Sequence, residues 1–309
     1  MGISIDEKRV YDASEGPTPV FVAGEFGVAR VYTSDDLVGE FGLARDCSAR
    51  DAAGRDGRLA VATDEDVLVG AWDAADGAEG VPETDFEALG LGPAAAVGFA
   101  PDGRLLAARD DGTVVRGEPG DWTGAGDWTA VGDLDDVRAI DGDFVAAGSG
   151  VYRVADSGLT HVGLDDARDV AAAGVPLAAT GAGLFRLGNG WLSERGGAFR
   201  AVCAADGPAG SDADRPALPE AHAAGEDGLF AREGGGERTD SSRASTDDAS
   251  DGEWREVDLP VADEVAALAR GADGAYAVTE DGTFLLSVGD GWNHQVLGLR
   301  GARAVAAPW

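Results

Sequence analysis

The stretch Arg104–Gly112, RLLAARDDG, decides the fold. It is a run of small hydrophobic residues, marked near its end by Ala108, that stops at an Asp-Gly turn and yields to the bulkier run TVVRGE from Thr113. Six stretches repeat the pattern: VFVAGEFG from Val20, RLAVATDED from Arg58, DFVAAGSG from Asp143, PLAATGAG from Pro176, EAHAAGEDG from Glu220 and AYAVTEDG from Ala275. The markers Ala23, Ala62, Ala108, Ala147, Ala179, Ala224 and Val278 are unevenly spaced. Most intervals lie near the roughly 40–45 residues that a four-stranded propeller blade occupies.

The unit extends in both directions. Upstream stand further short runs: ARDCSA from Ala44, AAAVGF from Ala94, VRAI from Val137, ARDVAAA from Ala167, FRAVCAA from Phe199, EVAALA from Glu264 and ARAVAA from Ala302. Downstream, after the aromatic run, Trp128, Trp191, Trp254 and Trp292 open a last strand in four of the repeats. Four strands per unit, separated by Asp-Gly, Gly-Asn and Gly-Gly turns, exclude a helical reading, since no run has helical length or a 3.6-residue period. Small residues fill the first two strands and Tyr, Phe, Trp and Leu the later ones. That taper suits sheets that converge on an axis and splay at a rim.

The ends complete the count. ARAVAA at Ala302–Ala307 is a first strand without a second, and VFVAGEFG is a second strand without a first. Joined, they make one blade and leave no unpaired edge at the seam. The expectation is all-β: a seven-bladed propeller of four-stranded antiparallel blades, closed by a C-terminal inner strand joining the N-terminal blade. Residues 19–309 form the single domain and residues 1–18 an extension, in which Ile3–Val10 could pair with an outer edge. Residues 206–220 and 234–252, rich in Gly, Ser, Asp and Pro, read as mobile acidic loops.

Among the 309 residues, 57 are Asp or Glu and 24 Lys or Arg, giving a formal net charge of −33; Lys8 is the sole lysine. Such acidity suits molar salt, where the Debye length falls to about 3 Å and carboxylates cease to repel one another. The acidity therefore reads as adaptation to a halophilic cytoplasm, not as a cation site. No basic stripe is available for phosphate backbones, which argues against nucleic acid. No apolar run approaches ~18 residues, which argues against a membrane span, and MGISIDEKRVYD carries no apolar signal region. Cys47 and Cys203, expected on inner strands of non-adjacent blades, read as free buried thiols.

The turns GLFRLGNGWLSE at Gly183–Glu194, GVYRVADSGLTHV at Gly150–Val162 and GTFLLSVGDGWNH at Gly282–His294 resemble those of sialidase-type repeats. They lack the Ser-x-Asp-x-Gly-x-Thr-Trp order. Over nearly its full length the chain resembles a propeller family from haloarchaea, WD40-like or sialidase-like in repeat. The resemblance implies fold and habitat and carries over no active-site residue.

Aligning the first strands places Arg45, Arg138, Arg168, Arg200 and Arg303 at one position, two residues before Cys47, Ile140, Val170, Val202 and Val305. Guanidinium groups near the axis could grip a carboxylate or phosphate, or each could meet an acid of the adjacent blade and hold blade register. His222, beside Glu220, Glu226 and Asp227, is the histidine that could line a pocket; His161 and His294 fall on outer strands. Three histidines in three blades make no metal set, and no catalytic, cofactor or calcium-loop motif is present. The expectation is a monomeric, non-catalytic scaffold binding a protein partner. The alternative is a hydrolase or lyase of the propeller kind, acting on an anionic small molecule held by arginines at the channel mouth.

Overall fold

The computed structural model describes residues 18–34, 36–71, 85–117, 128–205, 218–234, 253–271, 274–288 and 291–308. The expected extension lies outside them except for Thr18, and so do the acidic loops except for residues 218–220 and 234.

Within the described residues every regular element is a strand. Blade 1 opens with β1 (Thr18–Gly24), β2 (Gly27–Ser34) and β3 (Leu37–Arg45). Blade 2 contains β4 (Ala49–Arg55), β5 (Arg58–Thr63), β6 (Val67–Ala71) and β7 (Phe86–Ala88). Blade 3 follows with β8 (Ala94–Phe99), β9 (Leu105–Arg109), β10 (Thr113–Gly117) and β11 (Trp128–Asp133). Blade 4 holds β12 (Val137–Asp141), β13 (Phe144–Ala147), β14 (Gly150–Ala155) and β15 (Gly158–Gly163). Blade 5 is β16 (Ala167–Ala171), β17 (Leu177–Thr180), β18 (Gly183–Leu187) and β19 (Trp191–Gly196). Blade 6 has β20 (Phe199–Ala204), β21 (Ala221–Gly225), β22 (Gly228–Arg232) and β23 (Arg255–Glu256). Blade 7 is formed by β24 (Val265–Arg270), β25 (Ala275–Thr279), β26 (Thr283–Val288) and β27 (Gly291–Val296). The last strand, β28 (Ala302–Ala306), returns to blade 1 and pairs antiparallel with β1, so the sheet order there is β28-β1-β2-β3. The chain is thus the expected seven-bladed propeller with its ring sealed by the C-terminal strand.

The repeat works because strand alternation serves two neighbours at once. In β1, Val20 and Val22 pack toward blade 7 while Phe21 and Ala23 pack toward blade 2. Successive side chains of a strand point to opposite faces, so each blade gives one residue set to each adjoining seam. The result is seven hydrophobic clusters, one per seam, in place of one central core. Around the axis the seams are so tight that glycine is required. A Cβ on Gly98 of β8 would run into the Ile140 carbonyl oxygen of β12, and one on Gly54 of β4 into that of Ala307.

Candidate functional site

The site begins with an irregularity shared by all seven inner strands. Where β4 pairs with β5, Ala49 stands opposite Thr63 and Asp51 opposite Ala62, leaving Arg50 unpaired. The same bulge leaves out Ala95, Arg138, Arg168, Arg200, Ala266 and Arg303 on the other inner strands. A bulge bends its strand and re-aims the extra residue. Five of the seven extra residues are arginines, and all five line the central channel, a cavity of about 1140 Å³.

Each arginine finds acids around it. Arg50 pairs with Asp110 of blade 3 and also donates to the Ala94 carbonyl oxygen (3.4 Å) at the start of β8. Arg138 bridges Asp136 and Asp166, each at 2.7 Å, and donates to the Ala167 carbonyl oxygen of blade 5 at 3.3 Å. The hydrogen bonds it donates to Asp136 and Asp166 push its pKa up, and the bond to Asp166 pulls that carboxyl's pKa down. Arg168 lies 3.6 Å from Asp166. Arg200 pairs with Glu264 and, at 2.7 Å, with Glu280, both of blade 7. Arg303 pairs with Glu25 of its own blade at 2.6 Å. For Arg50, Arg138 and Arg200, then, the guanidinium clamps one blade to the next.

Arg45 does not belong to this set. It ends β3, an outer strand, opposite Val28, and does not line the channel. The sequence LARDCSARD holds Ala-Arg-Asp twice, and the second copy, Ala49–Asp51, is the inner strand. The reason is packing: Ala49 is fully buried in the seam between blades 1 and 2, a place that half-buried Ala44 does not fill. Cys47 likewise sits in the β3–β4 connection and not on an inner strand, while Cys203 is buried on β20; both are free. Burial pushes the Cys203 thiol up to about 12, so it behaves as a small hydrophobe.

His222 also departs from expectation. It lies on β21, the second strand of its blade, buried and away from the channel lining, with Trp292 edge-on at 5.4 Å between ring centroids. Loss of water drives its pKa down to about 4, so the ring is neutral at physiological pH. The neighbouring charges are consumed, since Glu220 accepts a hydrogen bond from Arg270 at 2.6 Å.

Two functional-looking residues were not separable by sequence. Directly after the bulge, five inner strands carry alanine and two carry aspartate, Asp51 and Asp169. Asp51 accepts the Ala52 N–H and, across the seam, the Val97 N–H, both at 2.9 Å. Asp169 does the same with Val170 and with Val202 of blade 6, both at 2.8 Å. Asp141 accepts the Ala172 N–H at 2.7 Å. Ring walls strip Asp51 and Asp169 of bulk water, and the negative charge of Asp141 adds to the effect, so both rise to about 7 despite their backbone donors. Among the described residues, no group of three or more His, Cys, Asp or Glu could hold a metal ion, and no helix is long and apolar enough to cross a membrane.

Comparison with known proteins adds the following. Residues 4–308 match the sequence model of the family described as Beta-prop_HVO_0234:-like, beta propeller. No curated protein sequence matches the chain. Among solved structures, the WD40 β-propeller domain of Doa1 is 14% identical, with 82% of this chain and 83% of that chain covered and a TM-score of 0.55. U3-55K is 9% identical, with 85% of each chain covered and a TM-score of 0.56. Apo AztD from Citrobacter koseri is 12% identical, covering 93% of this chain and 83% of that one at a TM-score of 0.51. At such identities the likeness speaks of fold alone.

Proposed function

The chain belongs to this β-propeller family, and from that premise we propose that it is a non-catalytic scaffold offering a rigid surface to a protein partner in a salt-rich cytoplasm. One observation carries the reading: the charged groups that converge on the channel are already engaged. The bulge arginines hold carboxylates, three of them reaching the adjoining blade, and Asp51 and Asp169 hold backbone N–H groups across their seams. Groups so committed stiffen the wheel, and a stiff wheel presents its faces and rim without an ordering cost on binding. The net charge of −33 supports a working solvent of molar salt. The test is chemical cross-linking of the intact chain in its host's extract at native salt. A defined protein partner that also binds the purified chain supports the reading; turnover of a small molecule by the purified chain overturns it.

The second reading is a hydrolase or lyase that holds an anionic small molecule at the channel mouth. It is favoured by the five arginines lining a cavity of about 1140 Å³. Calorimetric titration with phosphate and with a small dicarboxylate, on the native chain and on Arg168→Gln/Arg200→Gln, separates the two. Saturable binding lost in the variant favours the anion site; reduced stability alone favours the clamp.

A further inference from the structure

Among the described residues, one outer strand is longer than the other six and carries more exposed apolar side chains. β7 and β23 span 3 and 2 residues, and β11, β15, β19 and β27 span 6 each. β3 runs for 9 residues, LVGEFGLAR, nearly all exposed. Of the five large hydrophobic side chains that stand in solvent among the described residues, three are on it: Leu37 (65% exposed), Phe41 (38%) and Leu43 (58%). Phe41 and Leu43 stand opposite Val31 and Ala29 and so share one face of the sheet.

β3 is also the end of its sheet, bonded to β2 on one side with nothing paired on the other among the described residues. An edge of that kind presents a row of free N–H and C=O groups, and proteins usually blunt it with lysine, proline or brevity. β3 uses none of these three, and two bulges in its pairing with β2 bend it without covering it. Gly42, between the two exposed apolar residues, would meet no atom within 4 Å if it carried a Cβ, so the backbone is open to approach. Three exposed carboxylates, Asp36, Glu40 and Asp46, flank the apolar residues, against Arg45 on the strand itself and the buried Arg30 of β2, whose charge reaches Glu40.

We propose that the outer edge of β3 is the docking site for an extended segment of a partner protein, added as a fifth strand to blade 1. The segment is alternately apolar and basic. Backbone pairing supplies the register, Phe41 and Leu43 take its apolar side chains on their shared face, and Lys or Arg answers Asp36, Glu40 and Asp46. This rests on the scaffold reading and gives it a place on the molecule.

The test uses the full chain in molar KCl and a fluorescein-labelled peptide of about eight alternating Val and Lys residues, a typical strand length. A control peptide replaces every second Val by Pro, which cannot pair. Fluorescence anisotropy should show saturable binding of the first peptide alone. Phe41→Glu/Leu43→Glu should weaken it at least tenfold with an unchanged thermal midpoint. If that pair fails to fold, the single Leu43→Lys, which removes an apolar contact and repels the peptide's lysines, makes the same comparison. Equal binding of the Pro peptide, or undiminished binding by the folded variant, overturns the proposal. So does binding that emerges only when residues 1–17 are deleted, or sedimentation showing a second copy on this edge. Partner cross-links that survive Phe41→Glu/Leu43→Glu would reject the edge and leave the scaffold standing; absence of any partner would reject the scaffold itself.

Discussion

The strands nearest the axis and those at the rim belong to the same blades, yet they obey different constraints. All seven inner strands carry the same bulge at the second residue, and five fill it with arginine. Their next position admits only alanine or a backbone-bonded aspartate. The outer strands range from 2 residues to 9, and only β3, β11, β15 and β19 share a bulge, at Ala44, Val131, Val162 and Glu194. Convergence at the axis leaves each inner side chain a neighbour on both sides, whereas the rim faces solvent. Uniformity inside therefore marks what the ring needs to stand, and the departure of β3 from its six counterparts marks what this ring does not need for standing.

The contrast can be attacked at its strongest point first. Removing residues 302–308 deletes the inner strand of blade 1 and bares β1, and should abolish the cooperative thermal transition altogether; a retained transition would mean that the ring holds without its clasp. The next largest effect is one of pH. Asp51 and Asp169 sit near 7 when folded and near 4 when unfolded, so the folded chain binds more protons between those values and loses stability as pH rises through them. Asp51→Asn and Asp169→Asn should therefore flatten the loss of stability between pH 4 and pH 8, read from urea midpoints, at a pH-independent cost, because an amide accepts only one of the two N–H groups that each carboxylate holds. His222 has the opposite sign. Held near 4 against an ordinary 6.5, it withdraws stability as pH falls through that window, and His222→Leu should flatten that limb.

A glycine pair compares axis and rim directly. Gly98→Ala drives a Cβ into the Ile140 carbonyl and should cost about 1–3 kcal/mol, the ordinary penalty for overpacking. Gly42→Ala on β3 meets nothing and should leave stability unchanged or raise it by a few tenths of a kcal/mol. Between these falls Arg200→Gln, which removes two part-exposed ion pairs to blade 7 and should cost about 1 kcal/mol or less. Equal effects at Gly98 and Gly42 would erase the distinction between axis and rim.

Legibility in the sequence follows the same division. Six inner strands can be placed from their apolar runs, because packing on both faces writes one pattern seven times. The seventh was displaced by a duplicated Ala-Arg-Asp, though spacing could have chosen between the copies: Ala49 precedes Ala62 by the same interval as Val265 precedes Val278. The partners of Asp51 and Asp169 were illegible, since a bond to a backbone N–H exposed by a bulge leaves no trace in residue identity. His222 misled because an isolated histidine near carboxylates reads alike whether it faces the lumen or a neighbouring tryptophan. The exposure of Phe41 and Leu43 was equally hidden, for LVGEFGLAR resembles any half-covered strand.

The pairing of Phe21 with Ala306 has a bearing on biosynthesis. While a ribosome still holds β28, six blades can assemble, but the first has no axial strand and its neighbour no abutment. Final annealing must wait until β28 clears the ribosome, and during that interval β1 is open to capture by any other unfinished copy. Crowded translation of this protein would then favour chains that exchange β28, an error that a short delay between the emergence of β1 and that of β28 would suppress.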